Sequence, residues 1–483
     1  MSVTASPAQT APNPACGTAG CCAALGPVPL LLLFGSGALW FLVGMFFALL
    51  ASLKFHNPHF LADHAFWTYG RVHAAHVDSL LYGFGVQVAM GTGIWLFRRL
   101  GRATVVGAPV VVIGTALWNT ALAVGILGVL CGDSTGYDSF ELPRYVTVML
   151  LLAYLMMATC ALLTFSARTE MTLYPSQWFV LGSLFWFPWI FSTASALLLC
   201  MPARGVVQAV IAWWYAHNFN TVFLGFAGLA SILYFVPKLL GRPLHSYYLA
   251  ALGFWTLALF GSCGGIPFGA PVPSWIVSIS AVGTFLTAIP ILAIALNFLH
   301  TVRHDLDAMD SNLPVRFAYV SLLFWVIASA QAIVGVVPHV TILTDFTWFS
   351  VAQWELFHYG FFALAMFGAI YYILPRVLNA NEPPEWSIGL IKAHFWFTFF
   401  GILIAYIALI VGGVGQGFLL NDPKYAFTEV IAGTLTALRA ETLGDLLILI
   451  GAIFFMLNLA LLLSRQCAQC IARLGFGIGK ERP

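Results

Sequence analysis

The sequence predicts an all-α polytopic membrane protein, a bundle of twelve transmembrane helices, and three observations carry that prediction. Hydrophobic residues make up 61% of the chain and charged residues only 8%, whereas a soluble domain carries roughly a quarter charged residues. The apolar residues fall in separate runs long enough to cross a bilayer, each crossing needing about 20 residues. Lys and Arg gather in alternate connections between those runs, as they do in membrane proteins of fixed orientation.

In chain order the expected spans are 28–52, 72–97, 104–130, 145–166, 177–200, 206–236, 247–266, 272–299, 317–337, 349–374, 393–414 and 443–464. The stretch 260–275, rich in Gly and Pro, blurs the boundary between the seventh and eighth. With the N-terminus in the cytoplasm, fourteen of the 20 Lys and Arg lie on the cytoplasmic side. This predicts cytoplasmic termini in a bacterial-type inner membrane. The chain then divides into a tail (1–27), a membrane domain (28–465) and a cytoplasmic tail (466–483).

Residues 1–27 hold Ala, Pro, Thr and Gly with Cys16, Cys21 and Cys22. They lack a basic stretch before an apolar core, so they read as a disordered tail and not as a signal peptide. Cys467-Ala-Gln-Cys470 is a lone CxxC, for which reduced thiols are expected over a metal. A net charge of +2 with no basic patch gives no sign of a nucleic-acid partner. The partners implied are membrane lipid and other membrane subunits.

Ionisable side chains in hydrocarbon are costly and mark function. The second span carries Arg71, His73, His76 and Asp78, the sixth His217 and Asn218, and the tenth Gln353, Glu355 and His358. The last opens with Arg439, Glu441 and Asp445. The other histidines, His339 and His394 included, are expected to be solvated interfacial groups. His76 is followed by Ser79, Gly83 and Gly85, small residues that make room for a planar cofactor or a close helix. His76 and His358 each lie one turn inside the same end of spans that run in the same direction. Two imidazoles at one depth suit the iron of a low-spin heme. The alternative is two unrelated core histidines bonded to hydroxyls or waters.

Trp213-Trp214-Tyr215-Ala216-His217-Asn218, continuing to Tyr234-Phe235-Val236-Pro237-Lys238 and Gly241-Arg242-Pro243, resembles the sixth span of heme–copper oxidase subunit I. The nearest branches are the cbb-type (C-family) cytochrome oxidases and the nitric oxide reductases. Arg71 through Gly85 resembles the second span of that family, and Phe367 through Arg376 the end of the tenth. Gly412 through Gly417 and Arg439 through Asn458 resemble the last two spans. The resemblance covers roughly residues 60–465. It implies a low-spin heme held by histidines of the second and tenth spans. It also implies a high-spin heme facing a copper held by three histidines, one of them at His217.

The chain departs from that pattern at its chemical centre. Where an adjacent histidine pair should follow Phe254-Trp255, the sequence reads Gly264-Gly265-Ile266-Pro267-Phe268-Gly269, and no histidine occurs between 246 and 299. Gln353 and Glu355 stand at the His-x-His positions of the tenth span. One imidazole cannot hold a copper that needs three nitrogens, so copper is not expected.

The first functional reading is therefore a membrane redox subunit keeping one b-type heme on His76 and His358. Whether His73 or His76 is the second-span ligand stays open, and Arg71 and Arg439 are candidate cations beside the cofactor. Such a subunit would pass electrons from a quinol or cytochrome c to partner redox subunits such as a c-type cytochrome. The second reading is a reductase with a rebuilt site. Glu355-Leu-Phe-His358 puts carboxylate and imidazole on one helix face, and with His217 they would hold a non-heme iron, Glu355 being the candidate catalytic group. The third is a cofactor-free assembly or transport protein. Intramembrane acids are too few to suggest ion coupling.

Overall fold

The computed structural model describes residues 26–303, 312–379 and 383–473, the last six of these by backbone alone. The expected N-terminal tail, all but its last two residues, and the side chain of Cys470 lie outside the described residues, while Cys467 is exposed. Every regular element among the described residues is helical. Eleven helices are long and apolar enough to cross a membrane, and a shorter apolar one, Tyr247–Gly261, stands at the place of the seventh span. Together they account for the twelve expected crossings. A short helix, Pro338–Thr344, lies between the ninth and tenth spans.

Two rings of helices follow from how much of each span is covered. In the second (Tyr69–Gly101), sixth (Val206–Leu240) and tenth (Trp348–Leu378) spans, 94%, 94% and 83% of the apolar window is buried, against at most half in the others. These three form the interior, and the rest surround them with lipid-facing Leu, Ile, Val and Phe. A helix that is apolar on every side belongs inside a bundle. They are also the spans whose sequences hold His76, His217 and His358.

Each interior span is interrupted mid-course by a π-helical stretch: Ser79–Val86, Phe219–Leu224 and Leu356–Ala363. A wide turn of this kind inserts a residue into the 3.6-residue repeat and re-aims the side chains beside it. All three begin directly after a candidate polar residue: Asp78, Asn218 and Glu355.

Three boundaries differ from expectation. The seventh helix stops at Gly261, five residues early, because Gly264 and Gly265 leave the helix and Gly265 takes φ +101°, open to glycine alone without strain. At 1.5 Å per residue its 15 residues reach only about 22 Å, less than a bilayer core. The last two helices run longer than their apolar runs, Ile388–Asn421 and Phe427–Arg473. Inside the last of them the first span covers a polar group: Ser52 donates to Glu441 at 2.6 Å. These two helices cross at glycine, where a Cβ on Gly401 would lie 2.8 Å from the Gly444 carbonyl oxygen. Close backbone approach through small residues is how membrane helices bind without a hydrophobic drive.

Gly444→Leu should therefore separate the last two spans and lower stability by about 1–3 kcal/mol. Gly415→Ala, which would meet nothing within 4 Å, should not lower it and should raise it by up to about 1 kcal/mol. Thermal unfolding of the detergent-purified protein checks both.

Candidate functional site

The wide turn after Asn218 directs His217 towards the end of the short seventh helix. There the imidazole Nε2–H donates to the Gly261 carbonyl at 2.9 Å. Asn218 fastens the same loop, its Nδ2 donating to the Trp214 carbonyl at 3.0 Å and the Ser262 carbonyl at 3.1 Å. The backbone of Gly264 and Gly265 lies directly against the ring, so a Cβ on either would collide with the imidazole. The chain thus occupies one face of His217 and takes its Nε2 as a donor.

His76 is held differently. Its Nδ1–H donates to the Gly44 carbonyl of the first span at 3.0 Å, leaving Nε2 to accept from the Tyr359 hydroxyl at 3.1 Å. His73, one turn earlier, is exposed and stacks on Tyr69. His358, adjacent to Tyr359, turns the other way. Its Nε2–H donates to Asn220 Oδ1 at 2.7 Å, and its ring stacks on Trp354. Asn220 is fixed for this by its own Nδ2, which donates to the Ala216 carbonyl at 2.9 Å. His76 and His358 are neighbours across the second and tenth spans, yet their nitrogens serve different partners.

Beyond Tyr359 the seam among the first, second, tenth, eleventh and twelfth spans is filled by buried rings. Phe41 lies 4.8 Å from Phe84 and 5.1 Å from Phe367, and Phe367 lies 4.8 Å from Phe455. His394 belongs to this core, contrary to the interfacial place expected for it. It is fully buried, 4.6 Å from Phe367, with Nδ1 bonded to the Tyr371 hydroxyl at 2.8 Å. The next helix begins five residues earlier than its apolar run suggested, which carries His394 a full turn inward. His339 is exposed, as expected.

The buried acids form two groups. Glu355 lies near Glu441 and Asp445, which bond to one another, and its Oε2 has no partner among the described residues. Asp78 is 0% exposed, and neither of its carboxylate oxygens is bonded within the described residues. Glu141 and Asp138, from the connection after the third span, are its charged neighbours. Beside them Tyr82 and Tyr215 share a 2.7 Å bond between hydroxyls. Arg71 is spent on the Leu130 carbonyl at 3.0 Å, and Arg439 is exposed. His358 and His217 thus point to different partners, and Glu355 lies beside Glu441 and Asp445 instead. Among the described residues no three His, Cys, Asp or Glu groups are set to share a metal ion.

Residues 28–447 match the family model of cytochrome c and quinol oxidase polypeptide I. The chain belongs to that family. A cytochrome c oxidase subunit 1 homolog of Azorhizobium caulinodans is 25% identical over 88% of this chain and 80% of its own. A cbb3-type cytochrome c oxidase subunit, CcoN1 of Stutzerimonas stutzeri, is 23% identical over 86% and 89%. A chain from a heme–copper terminal oxidase dimer superposes with a TM-score of 0.73 over 91% of this chain and 84% of its own, at 14% identity. That likeness is one of fold.

Subunit I proteins of this family are heme proteins, so the side chains present can be tested against such a group. A copper needs the Nε2 of His217 and two further nitrogens, but that Nε2 is bonded to a carbonyl and glycine backbone covers the ring. The residues do not fit it. For a two-imidazole heme, the Nδ1–Gly44 bond of His76 is the kind that orients a ligand. Its Nε2, however, faces Tyr359, and His358 bonds Asn220 instead. As placed, the pair does not fit a shared iron. Sequence reasoning passed over Asn220 and Tyr359. Neither stands in a motif that marks it as the partner of a histidine.

Burial first, and then Asp78 and Asp138, hold the Glu141 carboxyl well above the ordinary carboxylate range. The folded state therefore keeps that proton more tightly than the unfolded one. The stability it contributes is present in acid and lost as pH rises from about 4.3 through the raised native value. Glu141→Gln should unfold at a higher temperature than the parent at pH 8 and at the same temperature near pH 4, measured by calorimetry in detergent.

Proposed function

We propose that this chain is a non-reducing member of the subunit I family. In this reading it keeps the membrane scaffold, reduces neither dioxygen nor nitric oxide, and works beside redox subunits of the same membrane. The observation that carries the reading is the Gly264-Gly265 backbone seated against His217, with the imidazole Nε2 committed to Gly261. Reducing either gas requires a copper or iron facing a second metal across one gap, and here the imidazole nitrogen that would hold the first metal is bonded to a carbonyl instead. Gln353 and Glu355 support the same reading, because neither is a good axial ligand for a high-spin heme. The positive-inside count supports both termini lying in the cytoplasm of a bacterial-type inner membrane. Its partner in this reading is a c-type cytochrome or similar subunit, the class with which this family works.

A second reading is favoured by one bond. The Nδ1–H of His76 donated to Gly44 holds the ring as an axial ligand is held, so a single b-type heme on His76 would make the chain an electron carrier between a quinol or cytochrome c and its partner. Pyridine hemochrome and elemental analysis of the purified protein decide between the two. Less than about a tenth of an equivalent of heme, copper or iron is expected. One heme per chain, lost in His76→Ala but not in His73→Ala, would establish the second reading. Stoichiometric copper would overturn both.

A further inference from the structure

Behind His217 the bundle is hollow. A cavity of about 230 Å³ lies between the sixth, eighth, ninth and tenth spans, lined among others by His217, Thr284, Trp325, Gln331, Ser350 and Trp354. It adjoins a wider vestibule of about 570 Å³ that adds Asp138, Trp213, Phe346 and Trp348. Asp345, Ser350 and Trp354 line both, and so stand at the junction. An engineered cavity of about 150 Å³ holds benzene, so the inner chamber has room for a molecule somewhat larger.

Three features of the walls define the chemistry that fits. Among the described residues neither lining contains a Lys or Arg, although basic residues outnumber acidic ones in the chain. The path carries two carboxylates, Asp138 in the vestibule and Asp345 at the junction, together with four tryptophans, and an indole face attracts cations more strongly than any other side-chain ring. Inside, Gln331 is only 8% exposed. Its Nε2 donates to the Phe349 carbonyl at 2.7 Å, while its Oε1 has no partner among the described residues. A buried carbonyl oxygen without a donor is destabilising, and a ligand carrying N–H or polarised C–H groups would supply that donor. Burial also raises the Asp345 carboxyl, and a cation beside it would favour the ionised form.

We propose that this chamber binds a small organic cation of the substituted-ammonium class. Asp345 supplies the opposing charge at the junction, Trp354 and Trp325 present their rings, and Gln331 Oε1 accepts from the ligand inside. Asp138 in the vestibule draws the cation in. The site rests on the reading that no metal or heme fills the space beside His217. Hydroxyl-rich walls suit water too, so the decisive property is discrimination by charge and not the filling of space.

Choline and its uncharged isostere 3,3-dimethylbutan-1-ol provide the test, titrated into the purified full-length chain with calorimetry and tryptophan fluorescence as readouts. Choline should bind saturably and quench fluorescence, and the alcohol should bind at least tenfold more weakly. Asp345→Asn and Trp354→Leu should each weaken choline binding about tenfold or more without bringing the alcohol closer. Equal affinity for both compounds, no saturable binding of choline, or unchanged affinity in Asp345→Asn would overturn the site. The comparison of the two compounds on the parent protein needs no variant to fold. Heme and metal content of the same sample separates the failures. A cofactor-free chain that ignores choline overturns this site alone, whereas a chain loaded with copper overturns the proposed function as well.

Discussion

An imidazole placed inside a hydrocarbon phase has to spend its ring nitrogens, because no water is there to accept or donate. In this chain His217 donates to the carbonyl that ends the seventh helix, and His76 sits between a first-span carbonyl and a tenth-span hydroxyl. His358 donates to an amide of the sixth span. These bonds tie the three interior helices to one another and to the first and seventh. In a metal-loaded site the same nitrogens would face a common centre. Here each faces protein, and the arrangement of the bundle around them follows.

The short seventh helix is the clearest consequence. A loop with two glycines can lie flat on an imidazole, which a loop with two histidines cannot, so the helix ends early and its last carbonyl becomes the acceptor for His217. Shortening that helix leaves the space behind His217 unfilled, and the hollow between the sixth and tenth spans is what remains. The wide π-helical turns matter for the same reason. Each shifts the helix phase just after a polar residue, so that neighbours in sequence such as His358 and Tyr359 serve different seams of the bundle.

Much of the architecture was legible in the residues. Twelve apolar runs gave twelve helices in nearly the right places, since hydrocarbon leaves few alternatives to a helix. The Trp-Trp-Tyr-Ala-His-Asn segment pointed to the right family. The last span was expected from residue 443, but its helix begins at Phe427, and Ser52 of the first span bonds both Glu441 and Thr442 within it. Nothing in a hydropathy profile reports a partner almost four hundred residues away. His394 was misjudged for a related reason: it stands at the start of its apolar run, two residues after Lys392, but its surroundings in space are Phe317, Phe367 and Phe455.

The sequence by itself determined the fold class, the membrane setting and the family, because these follow from composition, the length of apolar runs and local motifs. It also determined which ligand types are missing, since an absent histidine can be read directly. Only the tertiary structure decided where the remaining histidines point. Ring orientation depends on the register of three helices, each reset by a π turn, and on the acceptor that a neighbouring span happens to present. Asn220 and Tyr359 became partners of His358 and His76 through that register, although neither is marked in the sequence as a binding residue.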